Sequence, residues 1–145
     1  QWGRPHWSFR LEEGATPPRY QTEGSVGFDL CAIKEGCVVS KGQQIVDTGV
    51  AFQVPEGLEL QIRPRSGLAA KYGITVLNSP GTIDQDYRGT VKIILFNAGD
   101  WTYHWEKGDR IAQAILSPVI RGSLVEGELS ETERGAGGFG STGVK

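Results

Sequence analysis

Apolar residues along this chain fall in short runs divided by Gly, Pro and other turn formers. Many short strands joined by turns produce that pattern. It predicts strands over Ser8–Leu11, Gly27–Ala32, Cys37–Ser40, Gln44–Phe52, Leu58–Pro64, Ile74–Leu77, Thr90–Asn97, Trp101–Trp105 and Arg110–Pro118. Several alternate between faces, as in Gln44-Ile45-Val46-Asp47-Thr48-Gly49-Val50. One short helix is expected at Ser66–Tyr72, where Ser66 is a capping residue type and Leu68, Ala69 and Ala70 are good helix formers. The sum is an all-β fold, a jelly-roll-like β-barrel with a single short helix.

The pattern stops near Glu126. Glu126–Glu133 is acidic and poor in large apolar residues, and Arg134–Lys145 is rich in glycine with one aromatic, Phe139. Such a segment buries too little surface to order itself. The expected division is a β domain over 1–125 followed by a linker and flexible arm over 126–145. The arm reads either as a plain disordered terminus or as a flap that orders over a phosphate ligand.

Composition narrows the ligand. The 145 residues suit one domain, and the formal net charge of −2 offers no broad basic surface for nucleic acid. A polyanionic ligand must then be met by a few placed cations and by backbone N–H groups. No apolar run approaches the roughly 20 residues that cross a bilayer. Gln1–Pro5 is not followed by the apolar core of a secretory signal, and the opening Gln1–Trp7 reads as an accessory strand or foreign sequence. The expected compartment is the cytoplasm, with an organellar, nuclear or viral source equally compatible. Cys31 and Cys37 are too few for a disulfide framework, and neither His6 nor His104 stands at a zinc-like spacing from them. They read as two small, partly buried thiols.

Five segments carry candidate chemistry. Gly24–Leu30 places Asp29 at an apolar strand start, where a half-buried carboxylate needs a backbone, arginine or hydrated-cation partner. Arg63-Pro64-Arg65-Ser66-Gly67 opens the helix and gathers N–H groups, a hydroxyl and a guanidinium, either as a phosphate seat or as an N-cap beside solvent arginines. Asn78–Gly89, flanked by strands, reads as a β-hairpin or tight loop. Its glycines expose backbone donors and acceptors to a planar base edge, Asp84 is a carboxylate able to activate water, and Tyr87 offers a flat ring to a sugar. Its plain reading is a turn capped by an Asp. Gly108–Gln113 reads first as a structural Asp109–Arg110 ion pair, with Gln113 able to donate to a phosphate oxygen. Arg134–Gly143 adds glycine amides, an arginine and two hydroxyls, with Phe139 suited to stacking; no Lys follows the glycines as a Walker loop requires.

Each segment alone is weak, but in this order they resemble the five motifs of the trimeric dUTPase family, over about residues 24 to 143. That resemblance implies hydrolysis of dUTP to dUMP and pyrophosphate by water attack at the α-phosphorus, keeping uracil out of DNA and supplying dUMP for dTMP synthesis. It implies a homotrimer whose three sites are each shared among subunits, the arm closing a neighbour's site. Asp84 would be the catalytic base. Asn78, Gly81, Thr82, Ile83 and Lys92 would line the uracil and deoxyribose pocket, with Tyr87 under the sugar excluding a 2′-hydroxyl. Arg65, Ser66, Gly67 and Gln113 would hold the phosphates. Arg134 would reach the γ-phosphate, Phe139 would cover the base, and Gly140, Ser141 and Thr142 would close around the triphosphate. Mg²⁺ would ride on the triphosphate, with Asp29 acting on it through water. The alternatives are a dCTP deaminase-like enzyme on the same barrel, and a non-catalytic, nucleotide-dependent regulator.

Overall fold

The computed structural model describes residues 3–140 and 143. Ten strands and one helix follow in order: β1 Ser8–Leu11, β2 Phe28–Cys31, β3 Gly36–Val38, β4 Gln43–Gln53, β5 Leu58–Arg63, α1 Ser66–Tyr72, β6 Ile74–Val76, β7 Gly81–Ile83, β8 Thr90–Asn97, β9 Tyr103–Trp105 and β10 Arg110–Pro118. All pairs are antiparallel. One sheet runs β1-β4-β8-β6, a second β2-β10-β5-β7, and β3 pairs with β9 in a small ribbon.

The two larger sheets face one another across a shared core. Val46, Val50, Phe52, Val91, Ile93 and Leu95 from the first meet Phe28, Leu30, Leu60, Ile62, Ile111 and Ala114 from the second. Alternation along β5 and β8 puts these side chains inward, as the period of two requires. Among the described residues no sheet closes on itself, so the expected barrel is replaced by two open sheets packed face to face.

Local departures from the expected pattern have visible causes. Alternation fails in the second half of β4 because the register against β8 shifts between Asp47 and Ala51. Gly49 takes φ +69° there, its N–H is held by the Asp47 carboxylate at 2.8 Å, and buried Thr48 donates to the Val91 carbonyl at 2.7 Å. Such a bulge turns several consecutive residues inward. Ser66 does not cap α1: Arg65 is the N-cap in extended conformation without a side-chain cap bond, and Ser66 is the first helical residue. Gly73 ends the helix at φ +71° and donates to Ala69 and Leu68. β9 begins at Tyr103, because Asn97 holds the preceding turn through bonds to Val38, Trp101 and Gly99.

Two segments outside the strands behave differently. Gly3–Trp7 forms no strand, yet Trp7 stacks on Phe52 at 5.3 Å and lies 6.1 Å from Phe28, extending the core. After β10 the chain leaves the body. The N–H of Val119 donates to Gly57 at 2.9 Å, and Ile120, Leu124, Val125 and Leu129 beyond it are almost fully exposed. Among the described residues no helix is long and apolar enough to cross a membrane.

Candidate functional site

Register places a row of polar side chains at one end of the second sheet. Gln113 on β10 stands directly opposite Asp29 on β2 and Arg63 on β5. Their strand neighbours Phe28, Leu30, Ile62, Ala112 and Ala114 are buried, so this row faces outward. The chain then turns at Pro64 into Arg65 and α1. The Arg65 Nε donates to Asp29 Oδ1 at 3.1 Å, and Arg110 brings its Nε to 3.7 Å from Oδ2. The Gln113 amide donates to the Pro64 carbonyl at 3.0 Å, fixing the strand–helix junction that carries Ser66 and Gly67. Asp29, at 19% side-chain exposure, is thus clasped by two guanidiniums that remain partly open to solvent.

Arg110 is the residue that sequence reasoning assigned elsewhere. The Asp109–Arg110 ion pair does not form. Asp109 accepts instead from the Glu106 N–H at 2.9 Å, closing a turn, and Arg110 crosses to Asp29. Asp109 still belongs to the turn that precedes β10, while Arg110 is the first residue of the strand, which separates the two charges.

The Asn78–Gly89 loop lies elsewhere. It contains a strand absent from the sequence pattern, β7, which pairs Gly81 with Ile62, Thr82 with Gln61 and Ile83 with Leu60. A Cβ on Gly81 would approach Ile62 to 3.2 Å and the Asn78 amide to 3.6 Å, so glycine lets β7 lie close to β5. The bond between Ser79 and Pro80 is cis. Asp84, just past β7, is exposed. The loop beyond it is tied to itself: the Tyr87 N–H donates to the Asp84 carbonyl at 3.2 Å, and the Tyr87 hydroxyl to the Thr90 carbonyl at 2.9 Å. Arg88 donates to the Gln85 and Tyr87 carbonyls, and Arg10 on β1 reaches the Arg88 carbonyl at 3.3 Å.

One chain does not bring the two groups together. Asp84 lies one residue beyond the Leu60–Ile83 pair, near the row of Glu59, four residues along β5 from Arg63. Asp29 is three strands away from β7. At about 3.3 Å per residue and 4.8 Å per strand, Asp84 and Asp29 stand roughly 20 Å apart. Lys92 is in the other sheet, exposed on β8 opposite Asp47.

The arm adds no contact to either group among the described hydrogen bonds. Arg134 Nε donates to the Gly137 carbonyl at 2.7 Å in a local turn, Phe139 is fully exposed, and Gly140 takes φ +77°. Ser141 and Thr142 lie outside the described residues.

Two clefts are present away from these groups. The larger, about 800 Å³, runs beside the N-terminal segment and is lined by Arg4, His6, Trp7, Tyr20, Val26 and Leu116 among others; the smaller, about 250 Å³, includes Cys37, Ile45 and Trp105. Neither includes Asp84, Tyr87, Arg65 or Gln113. The described residues also contain no group of three or more His, Cys, Asp or Glu placed to hold a metal.

These features define a two-sheet β protein with two guanidiniums gathered around Asp29 at a strand–helix junction and a separate loop bearing an exposed carboxylate. Residues 13–143 match the model of the dUTPase family, beginning upstream of the first of the five segments. The chain is 56% identical to a deoxyuridine 5′-triphosphate nucleotidohydrolase of Treponema pallidum, over 90% of this chain and 92% of that protein. It is 51% identical to one of Nautilia profundicola, over 92% of this chain and 95% of that protein. Among solved structures it resembles the Staphylococcus bacteriophage 80alpha dUTPase with dUpNHpp, at TM-score 0.85 and 26% identity, covering 97% of this chain and all of that one. The chain belongs to the dUTPase family.

Proposed function

We propose that this chain hydrolyses dUTP to dUMP and pyrophosphate, as a Mg²⁺-dependent homotrimer. Water attacks the α-phosphorus, the bond from that phosphorus to the α,β-bridging oxygen breaks, and the proton of the water passes to the Asp84 carboxylate. The exposure of Asp84 at the end of β7 leaves that carboxylate open to a nucleotide and its water. Asn78, Gly81, Thr82 and Ile83 offer backbone groups to the uracil, Tyr87 packs under the deoxyribose, and the main chain at Lys92 completes the pocket. Arg65, Ser66, Gly67 and Gln113 hold the phosphates, joined by Arg110.

The observation that carries this reading is the topology that puts Asp84 three strands and four residue rows from Asp29, roughly 20 Å at β-sheet spacings. A triphosphate held by Arg65 is out of reach of Asp84 in the same chain, so the site is completed by another copy. The outward face of the first sheet suits such an assembly: Ile45 stands opposite Ile94, and Leu77 donates to the Ile94 carbonyl beside them, with Ile45 and Leu77 exposed. Exposed apolar side chains grouped in this way support an interface on this face. The arm, 126–145, departs from a body assigned to 1–125 and brings Arg134 to the γ-phosphate and Phe139 over the base of a neighbour's site. Gly140, Ser141 and Thr142 would close around the triphosphate. The two open sheets are then the halves of a jelly roll.

The donor set fits a metal carried by the nucleotide. Both Asp29 oxygens already face guanidiniums, which suits action through water and not direct ligation. A hydrated Mg²⁺ on triphosphate oxygens needs few protein ligands. When bound it neutralises phosphate charge; the residues named above position the nucleotide and hold the proton at Asp84.

Pyrophosphate release from dUTP, UTP, dTTP and dCTP, with and without Mg²⁺, tests the proposal. Release confined to dUTP and abolished by chelation is expected. Ammonia from dCTP, or no turnover of dUTP, would overturn it.

A further inference from the structure

Gly89 joins the Asp84–Arg88 segment to β8, and its backbone does not call for glycine, since its φ is not in the left-handed region. What position 89 lacks is space. A Cβ there would stand 2.7 Å from Cζ and 3.1 Å from Cε1 of Tyr87, and closer still to the phenolic oxygen. Carbon atoms in contact settle at about 3.5–4.0 Å, so such an approach is repulsive. The Tyr87 ring therefore lies against the bare backbone of Gly89, and its hydroxyl donates to the Thr90 carbonyl one residue further on.

The rest of the loop is fixed independently of that ring. The Tyr87 N–H is held by the Asp84 carbonyl, Arg88 spans to the Gln85 and Tyr87 carbonyls, and Arg10 holds the Arg88 carbonyl. Tyr87 itself is 42% exposed. When a side chain is added at position 89, the mobile partner is the ring and not the backbone.

We infer that Gly89 is a specificity-determining residue: by admitting the Tyr87 ring against the main chain, it sets where the wall meeting the 2′ position of the sugar stands. This rests on the reading of Tyr87 as the ring beneath the deoxyribose. Gly89 acts through Tyr87, as a positioning residue. Displacing the ring loosens discrimination at the sugar and leaves the base edge, read by the Asn78–Ile83 backbone, as it was.

The experiment compares the full-length protein with Gly89→Ala, Tyr87→Ala and the double variant, measuring kcat/KM for dUTP, UTP and dCTP by pyrophosphate release. Gly89→Ala should lower the dUTP-to-UTP ratio by at least about tenfold, the scale of a methyl group in a pocket. The dUTP-to-dCTP ratio should hold within about twofold, and adding Gly89→Ala to Tyr87→Ala should change neither ratio by more than that, because the coupling requires the ring. An unchanged sugar ratio, a parallel fall in both ratios, or an effect that persists without Tyr87 would overturn the inference. So would a Gly89→Ala chain that fails to fold, since the backbone and not the ring would then have given way. A wild-type protein that releases no pyrophosphate from dUTP would instead sink the reading of the site itself.

Discussion

Asp84 stands exposed at the end of β7, on a loop whose backbone is closed by Tyr87, Arg88 and Arg10. Its carboxylate is thus placed by others and free to act. Asp84→Asn should leave KM for dUTP within a few-fold of wild type while kcat falls about 10²-fold or more, the contribution of a general base; turnover near wild type would remove Asp84 from that role. Arg110 illustrates the opposite case. Its side chain is half exposed and it shares Asp29 with Arg65, so its ion pair contributes no more than about 1 kcal/mol to folding. Arg110→Ala should therefore melt within a few degrees of wild type and yet raise KM for dUTP roughly tenfold, as loss of a charge-assisted phosphate contact would. A normal KM would make Arg110 structural. That Asp109 and Arg110 part company was not legible in sequence, because adjacency along a strand says nothing about which partner waits on the neighbouring strand.

At the scale of elements, most strands were legible because hydrophobic alternation and turn residues agreed. The failures occurred where a partner strand decides. β7 is three residues long inside a polar loop, and only pairing with β5 makes Gly81–Ile83 a strand. The bulge in β4 is set by Gly49 and Thr48 against β8, not by local propensity. The candidate site was legible as residue types in order, but its division between two ends of one sheet was not, because distance across strands has no trace in spacing. The two thiols show how element context decides chemistry. Cys31 ends β2 and is buried, while Cys37 on β3 is exposed, and both are free. Burial, with a smaller contribution from Asp29, pushes the Cys31 thiol up from its ordinary value, and Thr16 opposes it. Ellman's reagent should titrate one thiol in the native chain and the second only on unfolding. The sign for stability follows: Cys31 contributes fully below the thiol pKa of the unfolded chain, and that contribution is lost as pH rises through the folded pKa. Urea midpoints measured between about pH 8 and pH 10 should fall more for wild type than for Cys31→Ala; parallel falls would contradict this.

For the whole molecule, the exposed side chains of Ile120, Leu124, Val125 and Leu129 and the unattached Phe139 mark a chain end with nothing of its own to cover. Deleting Arg134–Lys145 should leave the melting temperature and the sedimentation of the assembly unchanged while activity falls to a low level; dissociation on truncation would make the arm structural. The decisive test combines two defective chains. Asp84→Asn keeps its arm and the truncated chain keeps Asp84, so each assembly alone keeps only residual activity. Co-expression at equal levels yields mixed copies of the proposed trimer, and the case under test is that loop and arm in one site come from different subunits. Random assortment then gives a functional carboxylate and a functional arm to roughly a quarter of the sites. Activity near that fraction of wild type requires sharing between copies. A mixture no more active than its two parents would confine loop and arm to one chain, and would leave the Asp29 cluster, roughly 20 Å from Asp84 by the sheet geometry, as the part that another copy supplies.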